Sequence, residues 1–336
     1  MGADMRSPGR IAVLGSGSFA GSWFVDFALS RGAEVVGINR SPEKPPMFRP
    51  YAGNPNRGRY AFHCLDINRD SDRVTALLLD FEPECIVDFA GQGMVAQSWR
   101  WPEQWYQTNI VAKVRLHNAL KERDFLTCYV RVSTPEVFGP NTGVLREDMP
   151  FNPSTPYAVS HAAIDMSLIA YFRQYGFPVI LTRFANFYGP CQQLYRIVPK
   201  TILCALGGSK LPLHGGGHSV RAFIHGRDVA AGIYKAIESG EAGRAYHFTT
   251  EEFIEIRELV AMIASELGLS FDEIVDVVED RPGKDPVYRM DASRAKRELG
   301  WEPTCTLKDG ISQTIAWVRA ELEQLQGMPQ DYIHAA

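Results

Sequence analysis

Residues 10–40 read RIAVLGSGSFAGSWFVDFALSRGAEVVGINR, and this stretch decides the fold. The apolar run RIAVL (10–14) ends in glycines. Trp23, Phe24, Phe27 and Ala28 then fall on one face of a helix expected over 20–31, and EVVGI (34–38) is a second strand. Glycines between a first strand and a first helix let the backbone approach a pyrophosphate, and the helix N-terminus favours its charge. Gly15, Gly17, Ser18, Phe19 and Gly21 are therefore candidate dinucleotide contacts. A lone glycine pattern says little, but one in the first strand-to-helix turn is far more specific.

The alternation continues. YAFHCLDI (60–67), CIVDFAG (85–91), CYVRVST (128–134) and FPVILTRF (177–184) read as strands. Helices are expected over about 70–80, 103–122 and 155–176. Continuous Val/Ile/Leu runs separated by helices indicate a parallel sheet covered on both faces. With right-handed crossovers the fold class is α/β, a Rossmann-type doubly wound parallel sheet. Beyond about residue 190 short strands mix with helices near 226–238, 255–267 and 307–325. The expected organisation is a dinucleotide-binding domain over 10–185 and a smaller mixed α/β substrate-binding lobe over 186–325, with some exchange of segments and a cleft between them.

Composition narrows the class. The 336 residues are 45% apolar and 22% charged, with a net charge of −4. That suits a soluble globular protein and points to neither nucleic acid nor an anionic membrane. No apolar run is long enough to span a bilayer, and MGADMRSPGR lacks the apolar centre of a signal peptide. The cysteines at 64, 85, 128, 191, 204 and 305 have no metal-ligand or CxxC spacing. Reduced thiols, a cytoplasmic location and no metal are the expectations.

The end of the second strand bears on the cofactor. An NAD site usually has a carboxylate there for the ribose hydroxyls. Here Asn39 and Arg40 offer donors and positive charge, which favours NADP over NAD; alternatively Arg40 is a surface residue stacking on adenine. Asp66, followed by Ile67, ends the third strand and suits the adenine amino group, unless it only caps the next helix.

Taken together, GSGSFAG (15–21), the TN of YQTNIVAK (106–113), STPEVFG (133–139), PYAVSHAA (156–163), RFANFYGP (183–190), VRAFIHGRDVA (220–230), and DRPGKDPVYRMD (280–291) followed by LGWEP (299–303) carry a resemblance. In this order and spacing the chain resembles the extended short-chain dehydrogenases/reductases of the sugar-nucleotide epimerase/dehydratase branch, nearest to the dTDP-glucose 4,6-dehydratase type. The resemblance implies NAD(P) in the first lobe and a nucleoside-diphosphate sugar in the second. It makes Tyr157 the acid/base, Thr134 the hydrogen-bond partner of the sugar 4-hydroxyl and Glu136 the base for the C5 proton. Asn186, Arg221 and Arg281 match the residues that grip the diphosphate. It also implies a homodimer that packs two helices per subunit, here those near 103–122 and 155–176.

Three departures qualify this. His161 stands where the family has lysine, one helical turn from Tyr157. Imidazole is shorter and mostly neutral at pH 7, yet it can still hydrogen-bond a ribose. On spacing alone, H161K is expected to preserve or raise activity. Pro135 replaces the acid that protonates the departing hydroxyl in dTDP-glucose dehydratases. Met94, with Gly93, replaces a Ser-His-like pair near the sugar, and Trp99, Trp101 and Trp105 follow it. The leading expectation is a 4,6-dehydratase-like lyase acting through a 4-keto sugar. An epimerase or decarboxylase on the same scaffold is the alternative. A catalytically silent dinucleotide-binding protein is the third reading, motivated by His161 alone.

Overall fold

The apolar runs become strands because each is β-branched and buried on both faces. In a computed structural model, which describes residues 8–141, 143–279 and 289–335, these are β1 (Arg10–Leu14), β2 (Glu34–Asn39), β3 (Tyr60–Cys64), β4 (Cys85–Asp88) and β5 (Cys128–Val132). They continue with β6 (Val144–Leu145), β7 (Val179–Phe184), β8 (Asn186–Tyr188), β9 (Leu211–His214), β10 (Val220–His225), β11 (Ala245–Phe248), β12 (Phe253–Glu255), β13 (Val275–Val278) and β14 (Arg289–Met290). The helices are α1 (Phe19–Ser30), α2 (Ser71–Phe81), α3 (Val95–Ser98), α4 (Pro102–Tyr106), α5 (Ala112–Leu120), α6 (Pro156–Tyr175), α7 (Ile197–Leu206) and α8 (Gly226–Ser239). After them come α9 (Ile256–Glu266), α10 (Phe271–Ile274), α11 (Ser293–Leu299), α12 (Leu307–Ala320) and α13 (Leu322–Gln326).

The main sheet has seven parallel strands in the order β11-β7-β5-β4-β1-β2-β3. Successive residues of β1 serve opposite faces. Ile11 and Val13 pack with α1 and α8 (Phe24, Val25, Val229, Ile233), while Ala12 and Leu14 pack with α2, α5 and α6 (Leu78, Leu116, Ile164, Leu168). Strand order reverses between β1 and β4, so the loops leaving those two strands open a crevice, where such folds bind ligands. The chain leaves this sheet after β7, lays down β8 and β10, returns to the main sheet at β11, and then adds β12 to complete the small sheet β12-β10-β8.

Two sequence expectations are refined. The third strand stops at Cys64, because Leu65 to Asn68 turn into α2. The helix expected over 103–122 is one helical run interrupted by a π-helical turn, Gln107–Val111. That extra residue per turn brings Asn109 inside.

The crossing back to the main sheet is pinned by Asp228 in the first turn of α8. Its buried carboxylate accepts from the Thr304 amide (3.0 Å), the Thr304 hydroxyl (2.7 Å) and the Cys305 amide (3.0 Å), while Trp301 Nε1 donates to its carbonyl (3.2 Å). D228A strands two backbone amides near the core. We expect a loss of about 3 kcal/mol in urea unfolding at unchanged slope. A loss below about 0.5 kcal/mol would mean that burial of Trp301 alone holds this loop.

Candidate active site

The turn after β1 is shaped by contacts that exclude side chains. Gly15 has φ +76°, and a Cβ there would lie 2.8 Å from the Ala90 amide nitrogen; at Gly21 it would collide with the Gly15 carbonyl oxygen. Ser18 caps α1, its hydroxyl accepting from the Gly21 amide at 3.0 Å. The turn thus brings backbone and a helix N-terminus to the crevice, a cradle that any Cβ would fill, and this fits a dinucleotide pyrophosphate. Ser18, Phe19 and Arg40 line the cleft. Asn39 donates to the Ser41 carbonyl (3.0 Å) and stands against Gly17 of the turn; it is not among the cleft-lining residues. Asp66 is engaged in the turn before α2, where its carboxylate accepts from the Asn68 amide at 2.7 Å. Asp66 and Ile67 are not among the cleft-lining residues.

The cleft, about 950 Å³, also collects Met94, Thr134, Pro135, Glu136, Tyr157, His161, Asn186 and Arg221. Arg281 lies outside the described residues. Thr134 caps the short turn Pro135–Phe138 and accepts from the Glu136 amide at 3.3 Å. Pro135 sits at its first position, where proline's missing N–H is no loss and its fixed φ is an advantage. Met94 has φ +66°, a strained conformation for a side-chain-bearing residue that is commonly kept at functional sites. Thr155 caps α6 (3.1 Å to the Ala158 amide), and Tyr157 lies in the first turn with its ring 4.5 Å from that of His161.

Beneath this helix is a buried charged cluster. Lys113 Nζ lies 2.6 Å from Asp88 Oδ2, Arg183 donates to Asp165 Oδ2 at 3.0 Å, and Ser133 donates to the same oxygen at 2.7 Å. Arg131 stands between the pairs, 3.6 Å from Asp88 and 4.0 Å from Asp165, with NH2 3.1 Å from His161 Nδ1. Burial would raise the Asp88 carboxyl, but Lys113 and Arg131 hold it below its ordinary value. Burial, then Arg131, pull Lys113 down to about 7 against the attraction of Asp88. Burial, reinforced by the Arg131, Lys113 and Arg183 charges, keeps His161 neutral far below its usual range. Burial and the Glu136 charge push the Tyr157 phenol up, while a hydrogen bond to Thr134 and the Arg131 and Arg196 charges pull it down.

A motif reading marks Asn109 but not its partners, and it misses several other residues. Asn109 holds Gln92 through both backbone groups (2.8 and 3.1 Å) and donates to Ser160 on α6 at 2.9 Å, joining the loop after β4 to the Tyr157 helix. Asp88, Arg131, Asp165 and Arg183 left a signal: each is a charge inside an apolar run. Residues 331–335 left none. Asp331 meets Lys200 (2.7 Å), Tyr332 packs on Tyr195 and lines the cleft, and His334 stacks on Trp101 (4.6 Å) and Trp105 (5.5 Å). The Ala335 carbonyl accepts from Gln92 Nε2 (3.0 Å) and Arg40 NH2 (3.1 Å). Of the three tryptophans, Trp105 is thus buried, Trp101 supports this segment and Trp99 is exposed.

A family model described as GDP-mannose 4,6 dehydratase matches residues 13–314. A dTDP-glucose 4,6-dehydratase from Xanthomonas campestris pv. campestris is 32% identical, covering 94% of this chain and 95% of the relative. Among solved structures, a dTDP-glucose 4,6-dehydratase from Streptomyces venezuelae with NAD bound aligns with a TM-score of 0.84 at 30% identity, covering 94% and 98% of the two chains. A UDP-glucose 4-epimerase from Thermotoga maritima with UDP-glucose also aligns at 0.84, with 26% identity over 93% and 99%. The chain belongs to the GDP-mannose 4,6 dehydratase family, within the extended short-chain dehydrogenases/reductases that act on sugar nucleotides.

The ring stack on His334 anchors residues 331–335, of which Tyr332 lines the cleft. W101A removes one of the two stacks, worth about 1 kcal/mol, so it should speed amide hydrogen exchange in this segment roughly fivefold. Unchanged exchange would show that the hydrogen bonds to Ala335 suffice.

Proposed function

We propose that the protein is a nicotinamide-dependent nucleoside-diphosphate-sugar 4,6-dehydratase acting through a 4-keto sugar. The observation that carries the reading is the convergence of Thr134, Glu136 and Tyr157 on one cleft beside the glycine turn. Tyr157 takes the proton of the sugar 4-hydroxyl, with Thr134 hydrogen-bonded to the phenol. The bound nicotinamide supplies the hydride acceptor at C4 and later the donor at C6. A ketone at C4 acidifies the C5 hydrogen, and the Glu136 carboxylate removes it. The C6 hydroxyl then leaves as water. Since Pro135 has no acid to offer, Glu136 or solvent delivers that proton. His161 contacts the nicotinamide ribose.

Gly15, Gly17, Ser18, Phe19 and Gly21 cradle the pyrophosphate, and Asn39 and Arg40 face the adenosine ribose. The absence of a carboxylate at the end of β2 favours NADP over NAD, although the S. venezuelae relative holds NAD. Asn186 and Arg221 meet the sugar diphosphate, as would Arg281. Met94 borders the sugar and sets which one is accepted. The likeness to an epimerase and the proline at 135 keep epimerisation as the second reading.

A second copy of the chain is the proposed partner. Val111, Val159 and Met166 are exposed on the helical run that includes α5 and on α6, whereas Leu116, Ile164 and Leu168 serve the chain's own core. No helix among the described residues is long and apolar enough to cross a membrane. The six free cysteines suit a reducing, cytoplasmic setting.

The test is mass spectrometry of reactions in deuterium oxide with NAD+ or NADP+ and a panel of UDP-, dTDP-, GDP- and CDP-sugars. We expect one sugar to lose one water and gain deuterium at C5, with NADP+ at least as effective as NAD+. E136Q should slow this at least about a hundredfold, the usual scale for loss of a general base. Deuterium uptake without loss of water would make the protein an epimerase, and loss of carbon dioxide would make it a decarboxylase.

A further inference from the structure

The reading above leaves Tyr157 without the lysine that usually stands beside such a tyrosine. Resting on that reading, we propose that Arg131 is a positioning residue that takes over the lysine's charge one layer deeper. Its guanidinium holds His161 as the neutral Nε2–H tautomer and places a permanent positive charge behind Tyr157.

The tautomer follows from donor chemistry. A guanidinium has donors only, so His161 Nδ1, 3.1 Å from Arg131 NH2, must accept. The ring proton is then on Nε2, the donor a ribose hydroxyl needs. The charge follows from the pairing pattern. Asp88 already has Lys113 at 2.6 Å, and Asp165 already has Arg183 at 3.0 Å. Arg131 stands farther from both, and its buried Nε has no hydrogen-bond partner. Among these five groups it is the third cation against two carboxylates, with Glu147 acting on Arg183 from the other side, and it is the one that lines the cleft. An unbalanced buried charge is costly and is not explained by stability.

Other groups bear on the titration of Tyr157. Glu136 opposes ionisation and Arg196 favours it. Within the cluster, His117 on α5 is kept neutral by burial, at about 3. Lys113 is the cation able to shed its proton near neutrality, whereas a guanidinium cannot. The surplus charge of Arg131 therefore lasts while Lys113 stays protonated beside Asp88; once Lys113 is neutral, Arg131 becomes the counter-ion of Asp88. The neighbour also alters the expectation for H161K, which sets a second cation against Arg131.

The first test is side-chain 15N NMR of histidine-labelled protein, with H161N assigning the signal. We expect wild-type His161 to show the neutral Nε2–H pattern and not to titrate between about pH 5 and about pH 9. In R131Q it should become a tautomer mixture that titrates. An Nδ1–H or charged His161 in the wild type overturns the proposal, and this readout needs no substrate. The second test is the pH dependence of kcat on the sugar identified above. The phenol must lose its proton to act, so removing a positive charge moves the rising limb to higher pH. R131Q should shift it by about one unit, about tenfold in rate below the limb, with recovery at alkaline pH. R131K should hold the limb, and R131Q/H161K should outperform H161K. A loss that is the same at every pH, or no loss, makes Arg131 structural only. If no sugar is turned over, the proposed function fails, while the NMR result still decides the placement of the His161 proton.

Discussion

Buried charge beneath α6 is the constraint on which the site depends. Asp88, Lys113, Arg131, Asp165 and Arg183 are each at most 2% exposed and come from β4, α5, β5, α6 and β7. Ion pairs this deep add little net stability, because desolvation offsets most of their attraction. Breaking one, however, leaves a charge with no partner and no water. The cluster therefore tolerates few arrangements of these five elements. The one it permits sets the first two turns of α6, with Tyr157 and His161, over the ends of the central strands.

The same constraint explains how the chemistry is divided. In a Tyr-Lys arrangement one ammonium both binds ribose and lowers the tyrosine. Here a neutral imidazole is positioned for binding, while positive charge stands behind it. Arg131 can serve there because Lys113 and Arg183 already satisfy the carboxylates. Proline at 135 fits the same economy of position, since it stiffens the short turn that carries Thr134 and Glu136.

Much of the fold was legible because parallel strands buried on both faces read as unbroken apolar runs. RIAVL, EVVGI and CIVD are strands for that reason, and the glycine turn is marked by contacts that exclude a Cβ. Tyr157 and His161 were legible because four residues make one helical turn. What stayed hidden is long-range. Nothing local in AYHF (245–248) says that it rejoins the main sheet beside β7. The partners of residues 334 and 335 are 230, 243 and 295 positions away. The π-helical turn that buries Asn109 leaves no mark in hydrophobic period. The inward charges were visible as letters, but only packing shows two close pairs with Arg131 shared between them at longer range.

The most direct measurement is an ultraviolet titration of tyrosinate formation, wild type minus Tyr157→Phe, with and without bound NADP+. The account predicts that Tyr157 resists ionisation in the empty protein, where burial dominates, and ionises at distinctly lower pH once the cationic nicotinamide joins the charge of Arg131. An identical titration in both states would contradict it, because the nicotinamide would then add nothing to the charge of Arg131 at Tyr157.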